Sequence, residues 1–96
     1  MIILKEGTLV KMARRGMGED IVFILGVSFT RTIIGYNRFL IDYSEVFGYT
    51  ETSVDFEDID YMVEIEMTEQ IKNRLFEKWG EEVCKERGVL KNKEES

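Results

Sequence analysis

Residues 21–29, Ile-Val-Phe-Ile-Leu-Gly-Val-Ser-Phe, form a nearly continuous apolar run. A short run this rich in Ile, Val and Phe reads as a central, buried strand. The chain has 96 residues, enough for one domain around such a strand. A chain of that size buries about 60–70% of its extended surface. No stretch approaches the roughly 18 apolar residues that a membrane-spanning helix needs.

The segments around this run extend the β reading. Residues 2–4 and 8–12 have extended patterns, with Glu6-Gly7 as a turn or bulge between them. Residues 13–20, with Arg14, Arg15, Gly16 and Gly18, read as a loop. Residues 32–36 and 39–43 flank Asn37-Arg38 as a hairpin, and residues 44–53 read as a loop carrying one short strand. Residues 54–57 and 61–67 alternate, which predicts Val54, Phe56, Val63 and Ile65 facing inward. A helix is expected over 68–87: Thr68 suits the N-cap, Ile71, Leu75, Trp79 and Val83 recur every four residues, and Gly88 stands at the C′ position. The predicted fold class is α+β, a small, strongly bent antiparallel sheet or SH3-like barrel of five to six strands with one C-terminal helix. The domain is expected to span 1–88, with strands within 2–67, and residues 89–96 to form a charged, frayed tail.

Charge is unevenly distributed along this fold. Residues 1–38 carry six basic groups (Lys5, Lys11, Arg14, Arg15, Arg31, Arg38) against three acids, a surplus of three positive charges. Residues 39–71 contain no Lys or Arg and ten acids: Asp42, Glu45, Glu51, Asp55, Glu57, Asp58, Asp60, Glu64, Glu66 and Glu69. In a strand, residues two apart share a face about 6.6 Å apart. Asp55 with Glu57, and Glu64 with Glu66, are therefore expected to form carboxylate rows on a solvent face. Such rows serve either as a solvated face that discourages sheet-edge aggregation or as an electrostatic surface for a basic partner. Interleaved aromatics (Tyr43, Phe47, Tyr49, Phe56, Tyr61) belong to the core or add contact area.

Other chemistry is sparse. The chain has no His and no Pro, which removes the usual acid–base group near neutral pH and any Ser–His or Cys–His nucleophile within one chain. The sequence predicts no enzyme and no cofactor. Residues 55–60 (Asp-Phe-Glu-Asp-Ile-Asp) lack the glycine of a calcium loop, so no metal is expected. The Gly16-Met17-Gly18 loop beside Arg14 and Arg15 matches no phosphate-binding fingerprint. Cys84, the only cysteine, is read as an inert packing residue, and Trp79 as the helix's core anchor. A single cysteine suits a reducing compartment, and an N-terminus without a basic start or cleavage site suggests no signal peptide; a cytoplasmic location is expected.

Size, acidity, β-rich order and the acid-only stretch 39–71 together give a chain that resembles the small host-takeover proteins of lytic phages. Within that group it resembles the DNA-mimic inhibitors of histone-like HU proteins and other DNA-binding proteins. The resemblance implies a homodimer that sequesters a basic nucleic-acid-binding protein, with Asp55, Glu57, Asp58, Asp60, Glu64 and Glu66 as contact residues. The wider candidate surface adds Asp42, Glu45 and Glu51. Its mixed-sign C-terminal helix departs from a uniformly acidic mimic. Two alternatives stay open: a self-associating assembly module with polarised charge faces, and a small nucleic-acid-binding barrel using the basic N-terminal half.

Overall fold

The chain is described by a computed structural model over residues 6–33, 36–48 and 50–89. Five strands, β1 (Leu9–Arg14), β2 (Glu19–Ile33), β3 (Tyr36–Glu45), β4 (Glu51–Asp55) and β5 (Ile59–Glu64), precede two helices, α1 (Glu69–Trp79) and α2 (Glu81–Glu86). All strand pairs are antiparallel, and the order across the sheet is β4-β3-β2-β1-β5. This is the expected α+β class.

β4 and β5 occupy opposite edges of the sheet, yet only the 3-10 turn Phe56–Asp58 joins them. In a flat sheet those edges would stand about 19 Å apart, four spacings of about 4.8 Å. Four residue steps from Asp55 to Ile59 reach about 14 Å even when fully extended. The sheet must therefore curl. No pairing joins β4 to β5, so the result is the open, strongly bent sheet of the two expected architectures.

Curling gives the sheet a concave interior and a convex exterior. Val10, Met12, Val22, Ile24, Ile41 and Tyr43 fill the interior, with Val54, Ile59 and Met62 packed against them. The exterior carries Leu9, Phe23 and Val46 under Ile71, Leu75 and Cys84 of the helices. β2 is thus buried on both faces along its first half, which explains its unbroken apolar sequence. Phe23 meets Trp79 edge-on, ring centroids 5.3 Å apart.

Several expectations are corrected. β3 begins at Tyr36, paired with Ile33, so Asn37 and Arg38 lie within the strand instead of forming its turn. Phe56 and Glu57 belong to the 3-10 turn, and β5 ends at Glu64, before Glu66. Phe56 and Val63 are about half exposed, at 51% each, not inward-facing. The interior position on β5 belongs to Met62, because the register of the pair with β1 sets Met62 opposite Met12. The helix expected over 68–87 is two helices, broken at Gly80. Cys84, not Val83, is the fully buried residue of the second. Val89 is buried in the exterior core, one residue past the boundary expected at 88. The strand expected at 2–4, Tyr49 and the tail from residue 90 lie outside the described residues. Among those described, no helix is long and apolar enough to cross a membrane.

Other expectations hold. Thr68 caps α1, its hydroxyl accepting the Ile71 N–H at 3.2 Å, and Gly88 takes a left-handed φ of 86° after α2. Gly80 has φ 84° and ψ 168°, a region open essentially only to glycine. Without this break, α2 would continue along the α1 axis and carry Cys84 away from Leu75. Gly80→Ala should cost about 1–3 kcal/mol. Gly18→Ala, at a position with open space around the missing Cβ, should stay within about 0.5 kcal/mol of wild type. Urea unfolding of the two variants checks the contrast.

Candidate functional site

Period-two alternation along β1 sets Arg14 on the same face as Val10 and Met12, at the end of the curled interior. Only 9% of this residue is exposed. Its guanidinium donates to the Tyr43 hydroxyl and to Asp20, lies 3.5 Å from Glu45, and sits over the Tyr43 ring at 5.4 Å. The interior thus ends in a polar plug in which two carboxylates and one phenol share one cation. Desolvation by burial raises the Tyr43 phenol above its ordinary 10.0, against the lowering influence of Arg14.

The plug takes Glu45 out of any free acidic surface, and other candidates are likewise engaged. Asp42 accepts a hydrogen bond from the Ser53 hydroxyl. Glu51 accepts from the Trp79 indole at 3.2 Å and stands 3.6 Å from Arg87, which itself stacks on Trp79 at 4.3 Å. Asp55 caps the 3-10 turn by accepting the Glu57 N–H at 3.0 Å. Asp58 faces Arg15 at 4.0 Å across an exposed gap, a pairing worth little in water. Five of the nine candidate carboxylates therefore carry structural interactions.

The remaining four, Glu57, Asp60, Glu64 and Glu66, follow one another along the 3-10 turn, β5 and the segment leading to α1. Their side chains make no hydrogen bond or ion pair with other described residues. Asp60 and Glu64 are about 13 Å apart at the strand rise of about 3.3 Å per residue. Between them, Tyr61 and Val63 are 46% and 51% exposed on the outer face. The Tyr61 hydroxyl donates to Glu19, which Lys11 approaches at 3.9 Å. Among the described residues β5 pairs only with β1, so its other edge presents unpaired backbone N–H and C=O groups. An open groove of about 570 Å³ lies where the end of β5 meets the start of β1, lined by Gly7, Thr8, Leu9, Glu64, Ile65, Glu66 and Met67. Its walls are part apolar and part carboxylate, the surroundings that the stem and head of a Lys or Arg side chain require.

A second groove, of about 430 Å³, lies beside the Arg14 plug and is lined by Lys11, Glu19, Asp20, Ile21, Glu45, Phe47 and Gly48. Among the described residues no group of three Cys, Asp or Glu side chains converges as a metal site. The sequence reading missed Arg14 as a buried residue, although the Val10-Met12-Arg14 spacing in β1 carries that signal. Comparison of the chain with family models, with curated proteins and with solved structures finds no match in any of the three.

The plug makes a prediction about alkaline stability. Burial raises the Tyr43 phenol above 10.0 and the Cys84 thiol above 9.0, the latter against the lowering influence of Arg87. Each ionises first in the unfolded chain, so stability is full below these values and falls as pH rises past them. Tyr43→Phe should cost about 1 kcal/mol at neutral pH by removing the Arg14 hydrogen bond. It should also lose less stability than wild type between about pH 8 and about pH 11. Urea unfolding across that range measures both effects.

Proposed function

We propose that the protein is an acidic binding module that captures a basic protein along the outer edge of β5. The observation that carries this reading is the run of four carboxylates, Glu57, Asp60, Glu64 and Glu66, that have no partner among the described residues, beside a strand edge likewise unpaired among them and the exposed Tyr61 and Val63. An extended basic segment has a complementary partner for each part: backbone groups for the strand edge, ammonium or guanidinium groups for the carboxylates, and aliphatic stems for the apolar face. Nucleic-acid-binding proteins are the partner class, because their working surface is a Lys/Arg array matched to phosphate. Occupation of that array by this edge would block nucleic acid, and the site of action would be the cytoplasm, where such proteins work.

The support is for an edge that takes a basic strand more than for a replica of the DNA backbone. A phosphate replica calls for evenly spaced rows, and Asp55 and Glu57 do not share a strand face here. The four acids without a partner among the described residues instead follow a bent path that a flexible basic segment can track.

Titration of labelled poly-lysine, and of a histone-like DNA-binding protein in competition with DNA, tests the proposal. Wild type should bind both at about 50 mM salt and weaken steeply as salt rises. The D60K/E64K/E66K variant should bind about 100-fold more weakly. Equal affinity of wild type and variant, or DNA binding unchanged by excess wild type, would refute it.

A further inference from the structure

The β2–β3 hairpin is far longer than the sheet it belongs to. β1 follows β2 only as far as Ile24, which bonds with Thr8, and β4 follows β3 only as far as Leu40. Beyond these points the two strands pair only with each other among the described residues, through Ser28↔Leu40, Phe29↔Phe39, Thr30↔Arg38 and Ile33↔Tyr36. Residues 28–33 extend about 20 Å at a strand's rise. That length accounts for most of the difference between the molecule's 50 Å long axis and its 26 and 25 Å cross-section. The ribbon is an arm that projects from the body instead of folding back on it.

A two-stranded ribbon is at best marginally stable in water without a further surface, and among the described residues the outer part of the arm has none. Its composition specifies that surface. Residues 21–41 contain no acid and carry Arg31 and Arg38, while Val27 at its base is 42% exposed. The complementary surface is acidic, partly apolar and presents a strand edge. The outer edge of β5 has all three properties. Because the arm points away from its own body, it meets that edge only on another molecule.

We infer that the arm docks along the acidic β5 edge of a second copy, and that the contact is reciprocal. Each molecule offers one arm and one edge, so a two-fold axis satisfies both at once and closes the assembly at two. The contact joins an acid-free basic strand to an edge whose carboxylates have no hydrogen bond or ion pair among the described residues. It shares the β5 edge with the proposed capture of a basic protein but does not rest on it. If both hold, a basic partner competes with the arm.

Sedimentation equilibrium on the full chain tests this with a charge swap. Wild type should be a dimer at about 100 µM in about 50 mM salt and shift towards monomer as salt rises. R31E/R38E reverses the arm and D60K/E64K reverses the edge. Each alone should raise the dimer Kd about 100-fold. Mixed one to one, they should restore a dimer containing one of each, because both arm–edge contacts regain opposite signs. R31Q/R38Q, a milder change, should weaken the dimer in the same direction should the reversed arm fail to fold by circular dichroism. A monomeric wild type, a R31E/R38E or R31Q/R38Q dimer as tight as wild type, or two folded swap variants that stay apart on mixing would overturn the inference. A wild-type dimer that ignores poly-lysine leaves it standing and removes the capture function, whereas a monomer that binds poly-lysine does the reverse.

Discussion

Three residues, Phe56–Asp58, connect the two edges of the sheet, and the rest of the architecture follows from their short reach. Curling forces one face of every strand into a common interior and turns the other outward. Helices are excluded from the interior, so α1 and α2 pack outside, where Leu9, Phe23 and Val46 need cover. The curl can include only the stretch where all five strands run together. β2 has 15 residues and β3 has ten, against five or six in the other strands. Among the described residues the surplus pairs only within the β2–β3 hairpin.

A curled sheet has open ends, and Arg14 occupies one of them. An apolar residue there would leave Asp20, Glu45 and the Tyr43 hydroxyl competing for water at the mouth of the interior. Arg14 instead draws them together, its stem packed inside and its guanidinium shared among three oxygens. This division of labour resolves the acidic stretch into two populations. Carboxylates near the plug and under the helices are tied to Arg14, Ser53, Trp79 and Arg87, and stabilise the fold. Among the described residues, those on the 3-10 turn and β5 have at most the exposed Asp58–Arg15 pair at 4.0 Å, since Lys11 of β1 faces Glu19 instead.

Much of the fold was legible in the sequence. The apolar run after Asp20 marks a strand covered on both faces, and Thr68 with Ile71 and Leu75 marks the start and inner face of α1. The helix break was less legible, because the period of four runs unbroken from Ile71 through Val83 and Gly80 reads as tolerated until its left-handed φ is known. Phase on β5 was lost for a different reason. Tyr61 and Val63 look like core residues by composition, and only their pairing with Ala13 and Lys11 on the outer face shows that no helix covers them. The candidate site was half legible. Ten acids without a base mark an acidic surface, but one-dimensional charge does not show which carboxylates meet an arginine from 30 residues away.

An open strand edge is an indiscriminate template, since any extended chain can satisfy its backbone groups. On β5 the carboxylates restrict that template. A neutral apolar strand that paired there would desolvate Asp60 and Glu64 without compensation, a cost that grows with burial. A second β5 edge would add like-charge repulsion across the new pair. A basic strand alone gains from both the backbone and the side chains. On the proposed reading, the same charges that discourage edge-to-edge pairing would also select what binds there. One placement of acids would then serve both ends, and the acid-free arm is the segment of the molecule itself proposed to meet the requirement.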